Sequence, residues 1–151
     1  MADTGDAETL IIVLDGYTTE TAHLYRLHFL DVDPKCRFCD GERETHDHLF
    51  FRCSETGHIW REIRQRFRMP LTLTSIEEAL SWLRTHARGL HCLDRARVYA
   101  VSTTIYYIWH ARNARVFEGN DIPTAALVRL VLIHVYRLLY ARFQTETVLA
   151  M

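Results

Sequence analysis

Apolar residues recur with helical spacing along most of this chain, and the breaks between them predict where each helix begins and ends. The longest pattern runs from Asp94 to Glu118. There Val98, Val101, Ile105, Ile108, Trp109 and Val116 form one face, broadened by Tyr99, Tyr106 and Phe117. Gly119-Asn120 closes it, and Asp121 is placed to cap a last helix from about Pro123 to Phe143, with Pro123 tolerated in the first turn. Upstream, Ser54 or Thr56 can cap a helix whose Ile59, Trp60, Ile63 and Phe67 fall within about 100° on a wheel of 3.6 residues per turn. Met69-Pro70 ends it. Ser75-Ile76-Glu77-Glu78 reads as a capping box, opening a helix that carries Ile76, Leu80, Trp82 and Leu83 and stops near Arg88-Gly89, with Gly89 at the position after the cap. Thr18 to Leu30 predicts a further helix, halted by Asp31-Val32-Asp33-Pro34 because the residue before proline avoids the α region.

Two stretches break this pattern in different ways. Leu10-Ile11-Ile12-Val13-Leu14, ended by Asp15-Gly16, reads as a lone strand that needs a partner, either Leu49-Phe50-Phe51 or a second copy of the chain. The last helix is apolar on two sides. Leu127, Leu130, Val131, Val135, Leu138 and Leu139 make the face expected to pack on the core, while Leu132, Ile133, Tyr136, Tyr140 and Phe143 make a second. Residues 9–14 or another chain must cover that second face, which marks those five residues as partner-binding candidates with a two-fold homodimer as the default contact. The helix is long enough to span a bilayer, but Arg129, His134, Arg137 and Arg142 recur along it too regularly to avoid the hydrocarbon. The fold expected is mainly α: about five helices, a CCHC zinc knuckle and at most a small β element. Residues 1–17 form an N-terminal segment, disordered over its acidic first eight residues, and 18–151 a single zinc-stabilised helical domain with its knuckle at 36–53.

The knuckle rests on cysteine spacing. Cys36, Cys39 and Cys53 fall within eighteen residues with His46 and His48 between them, so two thiolates on a tight turn can face two ligands from a second short segment. His48 gives C-x2-C-x8-H-x4-C and His46 gives x6 and x6; the shorter gap to Cys53 favours His48. Four protein ligands leave no open position for a catalytic water, so the zinc is structural. A redox C-x-x-C would instead sit at a strand-to-helix junction of a βαβ unit, and here a turn and further ligands follow.

Cys36-x2-Cys39, Glu44-Thr45-x2-His48-Leu49-Phe50-Phe51-x-Cys53 and the following Trp60 resemble the zinc-binding domain of reverse transcriptases from plant non-LTR (LINE-type) retroelements. Ile108-Trp109-x2-Arg112-Asn113-x3-Phe117 resembles the helix after that finger, so the resemblance spans roughly Thr21 to Phe117. It implies Cys36, Cys39, His48 and Cys53 as zinc ligands and, within a whole reverse transcriptase, a role in nucleic-acid binding. No polymerase or endonuclease portion accompanies it.

Charge changes the functional picture. The net charge is −1, yet residues 1–60 hold twelve acidic against five basic side chains and residues 61–151 hold seven against thirteen. Seventeen of the eighteen basic residues are arginine, which favours bidentate contacts with carboxylate or phosphate. Arg61, Arg64 and Arg68 cluster on one side of their helix as either a solvated face or an anion-binding stripe. Arg112 interrupts an apolar face, as a partner for a buried carboxylate or as a recognition group; Arg112→Met is expected to preserve the fold if its role is structural. Phe38, Phe50, Phe51 and Trp60 beside arginines suit single-stranded RNA or DNA. Against that, Asp31, Asp33, Asp40, Glu42, Glu44 and Asp47 crowd the knuckle with charge that repels phosphate.

There is no Gly-rich phosphate loop, no polymerase-type carboxylate cluster and no G-x-S-x-G elbow, so no enzyme is expected and no small-molecule substrate is evident. Thiolate ligands and an acidic N-terminus without a positive leader point to an intracellular protein. The expectation is a zinc-stabilised module that works by protein–protein interaction, with RNA or single-stranded DNA binding as the alternative.

Overall fold

The computed structural model describes residues 35–151. The strand expected at 10–14, the helix expected at 18–30 and the acidic first eight residues lie outside them. Within the described residues the chain is mostly helical: α1 (Ser54–Arg66), α2 (Ile76–His86), α3 (Cys92–Asn113), α4 (Thr124–Arg142) and α5 (Thr145–Leu149), with π-helical turns at His48–Arg52 and Ala114–Glu118. Among the described residues the β content is one antiparallel bridge, Lys35 to Arg43, which ties off the first cysteine turn.

The stripe read for α1 is buried as expected, with Ile59, Trp60, Ile63 and Phe67 each at most 1% exposed. It faces α4 and α3. The α3 helix buries Val98, Val101, Ile105 and Ile108, but also Ala96, Ala100, Thr104 and Ala111, because it has neighbours on most sides. Small residues there let other helices approach, and the Thr104 hydroxyl is satisfied by the Ala100 carbonyl at 2.6 Å. From α4, Leu127, Val131, Val135 and Leu139 enter this core at four-residue intervals. Burying each contributes about 1.5–3 kcal/mol. By length and composition α4 could also cross a membrane; here that stripe is buried in a helix that packs along α3 and α1.

Helix ends decide several details differently from the local sequence. Ser75 caps α2 by accepting from Glu78 N–H at 3.1 Å, but the Glu78 carboxylate passes Ser75 and takes both the N–H and hydroxyl of Thr74. Cys53, not Ser54 or Thr56, occupies the cap position of α1. The α2 helix stops at His86, capped by Ala87, and Gly89 adopts no left-handed conformation. Gly119 does, at φ 65°, closing the π turn that extends α3. Asp121 does not cap α4: it pairs with Arg115, and Pro123 takes the cap position. Phe117 and Leu130, placed on buried faces by periodicity, are 59% and 38% exposed. Phe117 sits where the π turn has already altered the helical phase.

Candidate metal centre

The centre starts with a turn. Cys36 N–H donates to the Glu42 carbonyl at 2.8 Å and Asp40 N–H to the Cys36 carbonyl at 2.9 Å, folding Cys36 and Cys39 to one side of a loop. Asp40 takes positive φ (53°) to reverse the chain; aspartate tolerates that region better than most residues. The second ligand pair rides on a π turn. Thr45 starts it, its hydroxyl accepting from His48 N–H at 3.1 Å and its carbonyl from Leu49 N–H at 2.8 Å. Cys53 N–H then closes on the His48 carbonyl at 2.7 Å, a five-residue bond that accommodates one residue more than an α turn. Leu49-Phe50-Phe51 are therefore helical and buried, and cannot pair with a strand.

Cys36, Cys39, His48 and Cys53 bring one ligand atom each to within 4.8 Å of all the others. Cys36 Sγ lies 3.8 Å from Cys53 Sγ, and Cys39 Sγ 3.4 Å from His48 Nε2. Zinc with arms of about 2.3 Å to sulfur sets tetrahedral edges near 3.8 Å, so the donor set fits a closed zinc site. Cys36 and Cys53 behave as one pair. The Cys36 thiol donates to Cys53, which pulls the Cys53 sulfur down to about 5, while the same bond and burial push Cys36 up. Zinc binds thiolates, so its binding at this cluster releases the thiol protons. On the far side of the imidazole, Glu42 Oε2 lies 3.1 Å from His48 Nδ1, where a carboxylate can orient a metal-binding histidine. His46 is turned away, its ring stacked on Phe50 (6.5 Å, 21°), and burial holds its pKa below the ordinary range.

The knuckle is bolted to the helices by residues that ligand spacing alone does not reveal. Glu44 is 5% exposed and pairs with Arg112 at 2.9 Å, while its second oxygen receives Arg37 N–H at 3.3 Å. Arg115 stacks on Phe38 at 4.8 Å and donates to the Arg37 carbonyl. Trp60 Nε1 donates to the Phe50 carbonyl, with Phe51 stacked at 4.9 Å and the Arg64 guanidinium over the ring at 5.4 Å. Asp47 accepts from Ile76 N–H at 3.4 Å. Glu44 lies beside the ligands in sequence and Arg112 carries the later motif, so the signal was present; nothing local joined the two.

The remaining candidates separate. Arg64 is buried, donating to the Leu71 carbonyl at 2.8 Å and to that of Leu73, so the expected three-arginine stripe does not exist. Arg61 is exposed, and Arg68 lies beyond α1 with φ 51°, donating to the Met151 carbonyl at 3.1 Å. Of the second α4 face, Leu132, Tyr136 and Phe143 are half-buried against the core, and Tyr136 is held by Arg66 (2.7 Å to its hydroxyl); Ile133 and Tyr140 are 46% and 45% exposed. Phe38, Phe50, Phe51 and Trp60 are all buried, so none offers a stacking surface for bases. Cys92 is buried in the first turn of α3, its thiol pushed up by burial.

This arrangement defines a helical module built around a structural zinc knuckle. Residues 13–60 match the family described as zinc-binding in reverse transcriptase, a stretch that contains all four ligands, Glu44 and Trp60. That family and the Cys3His cluster together support one structural zinc. No curated protein and no solved structure matches the chain.

Proposed function

We propose that this chain is a non-catalytic, zinc-stabilised docking module that works inside the cell by protein–protein contact, through self-association or a partner. The observation that carries the reading is the outer line of α4. Leu130, Ile133 and Tyr140 are 38%, 46% and 45% exposed, and they lie at i, i+3 and i+10 of a helix whose opposite side is core. Tyrosine suits such a contact because it brings a large apolar ring with a polar tip. A reducing compartment keeps the thiols available as ligands. The matched family describes zinc binding rather than a polymerisation step, and four protein ligands close the metal's coordination.

Nucleic-acid binding is the weaker reading because its groups are engaged elsewhere. The knuckle aromatics are buried, Arg64 clamps a loop and Arg112 is neutralised by Glu44, while Asp40 and Glu42 stay exposed on the knuckle. Two measurements test the proposal together. Sedimentation at tens of micromolar should show association that Ile133→Glu/Tyr140→Glu abolishes, or capture of a partner that the same variant loses. Filter binding over a salt series should show no RNA or single-stranded DNA retained at low salt; tight binding that falls steeply with salt overturns the reading.

A further inference from the structure

Where the end of α1 meets α4 and α5, Arg66, Arg68, Tyr136 and Tyr140 line a cavity of about 470 Å³ together with Val148 and Leu149. Arg66 donates from Nε to the Tyr136 hydroxyl at 2.7 Å, and its guanidinium lies over that ring at 5.5 Å. That contact orients the guanidinium without using either Nη group, and the Tyr136 hydroxyl keeps its own proton to donate. Arg68 is fixed differently: it takes positive φ (51°) and gives Nη2 to the Met151 carbonyl at 3.1 Å. Backbone strain of that kind persists only where the surrounding structure holds it, and it collects at ligand sites. Among the described residues neither arginine pairs with an Asp or Glu, and no Asp or Glu lines the cavity. Glu146 lines the adjoining hollow of about 550 Å³ and forms no ion pair with Arg68.

Two guanidinium groups and two phenol hydroxyls at one cavity present donors and no carboxylate, so the complementary ligand is an anion. Its charge decides which. A phosphate monoester carries about −1.5 to −2 at neutral pH and three acceptor oxygens, matching two cations, whereas a carboxylate carries one charge. Arginine forks onto phosphate oxygens through paired N–H groups, which lysine cannot do. A nucleic-acid backbone carries one charge per phosphate and is held by a track of cations. A cavity of this volume suits one group instead. The rim sets the carrier. Tyr140 and Leu149 are 45% and 73% exposed, and the Tyr140 ring lies 6.3 Å from that of Tyr136, so an aromatic or apolar stem can pack beside the charge.

We infer that this cavity binds an aryl phosphate monoester, the chemistry of a phosphotyrosine side chain on a partner protein, with Arg66 and Arg68 on the phosphate and Tyr140 and Leu149 beside the stem. This rests on the docking reading and names the feature of the partner that is recognised. The test titrates phenyl phosphate into the full, zinc-loaded chain and follows it by calorimetry. One equivalent should bind, more tightly than inorganic phosphate or diphenyl phosphate, and weaken as the pH falls below about 6, where the second phosphate charge is lost. Arg66→Gln and Arg68→Gln should each weaken binding about tenfold or more. Arg129→Gln, an exposed α4 arginine outside the cavity, should leave it unchanged. Arg68→Gly keeps the test sound if the Gln variant misfolds: glycine suits the left-handed backbone, so the loop stays folded and binding is still lost. No saturable binding, equal binding of inorganic phosphate, or an equal loss in Arg129→Gln overturns the proposal. A 5′-phosphorylated oligothymidine that binds more tightly than a phosphotyrosine peptide overturns it in favour of nucleic acid. The docking reading is scored separately by sedimentation and partner capture with Ile133→Glu, which lies outside the cavity. If phenyl phosphate binds but no association depends on Ile133, the cavity stands and the docking reading falls; the converse result removes the cavity alone.

Discussion

Arg112 donates from Nε to Glu44 Oε1 at 2.9 Å, with Nη2 at the same distance, joining the zinc knuckle to α3 across 68 residues of sequence. The two side chains are 6% and 1% exposed. The pair explains why one acidic residue in a charged loop differs from its neighbours. Asp40 and Glu42 face solvent, whereas Glu44 is a buried anion whose cation comes from the far motif.

That pairing reverses the outcome expected for Arg112→Met from sequence. With Glu44 left buried and uncompensated, the single variant should lose about 3–5 kcal/mol, and Glu44→Leu alone should lose a similar amount. Glu44→Leu/Arg112→Met, which removes both charges, should recover most of that loss. Chemical denaturation of the three variants checks this; additive losses in the double variant would show that the pair is not coupled.

Metal removal should disorder the knuckle first. Binding energies for structural zinc in small fingers are about 10–16 kcal/mol and are folding energy. Chelation or Cys39→Ser should therefore release residues 35–53 and shift Trp60 fluorescence to the red, because the indole loses Phe51 and the Phe50 carbonyl. Native mass spectrometry should find one zinc per chain. Since the thiols and imidazole must lose protons to bind it, zinc should dissociate as the pH falls.

The two histidines should respond oppositely. His48→Ala should abolish stoichiometric zinc, whereas His46→Ala should keep it and lose only the stack on Phe50. Glu42→Gln, which weakens the carboxylate behind His48, should lower zinc affinity roughly 10–100-fold without unfolding the chain. Competition against a chromophoric chelator measures all three.

Arg64 should prove structural. Its guanidinium closes the loop after α1 through the Leu71 and Leu73 carbonyls, and bonds from a charged donor contribute about 1.5–3 kcal/mol each. Arg64→Ala should lower stability on that scale and raise amide exchange across residues 70–75, whereas Arg61→Ala, at an exposed position of the same helix, should change neither.

The sequence by itself determined the four-residue rhythm of α1, α3 and α4, the Ser75 cap, the Gly119 stop and the ligand types of the knuckle. Each is a local property: apolar spacing must match the helical repeat, only certain side chains satisfy helix ends, and zinc takes thiolates and imidazoles. Tertiary structure decided everything that depends on which distant group lies opposite. The π turn selected His48 over His46, because that turn alone brings His48 Nε2 to Cys39 while His46 packs on Phe50. Folding turned Arg64 and Arg112 inward, where the Leu71 and Leu73 carbonyls and the Glu44 carboxylate satisfy their guanidinium groups. It also split the second face of α4, tucking Leu132, Tyr136 and Phe143 against the core while leaving Ile133 and Tyr140 outside. A helical wheel gives the angle between side chains, but the number of neighbours that close around the helix sets how much of that circle is buried.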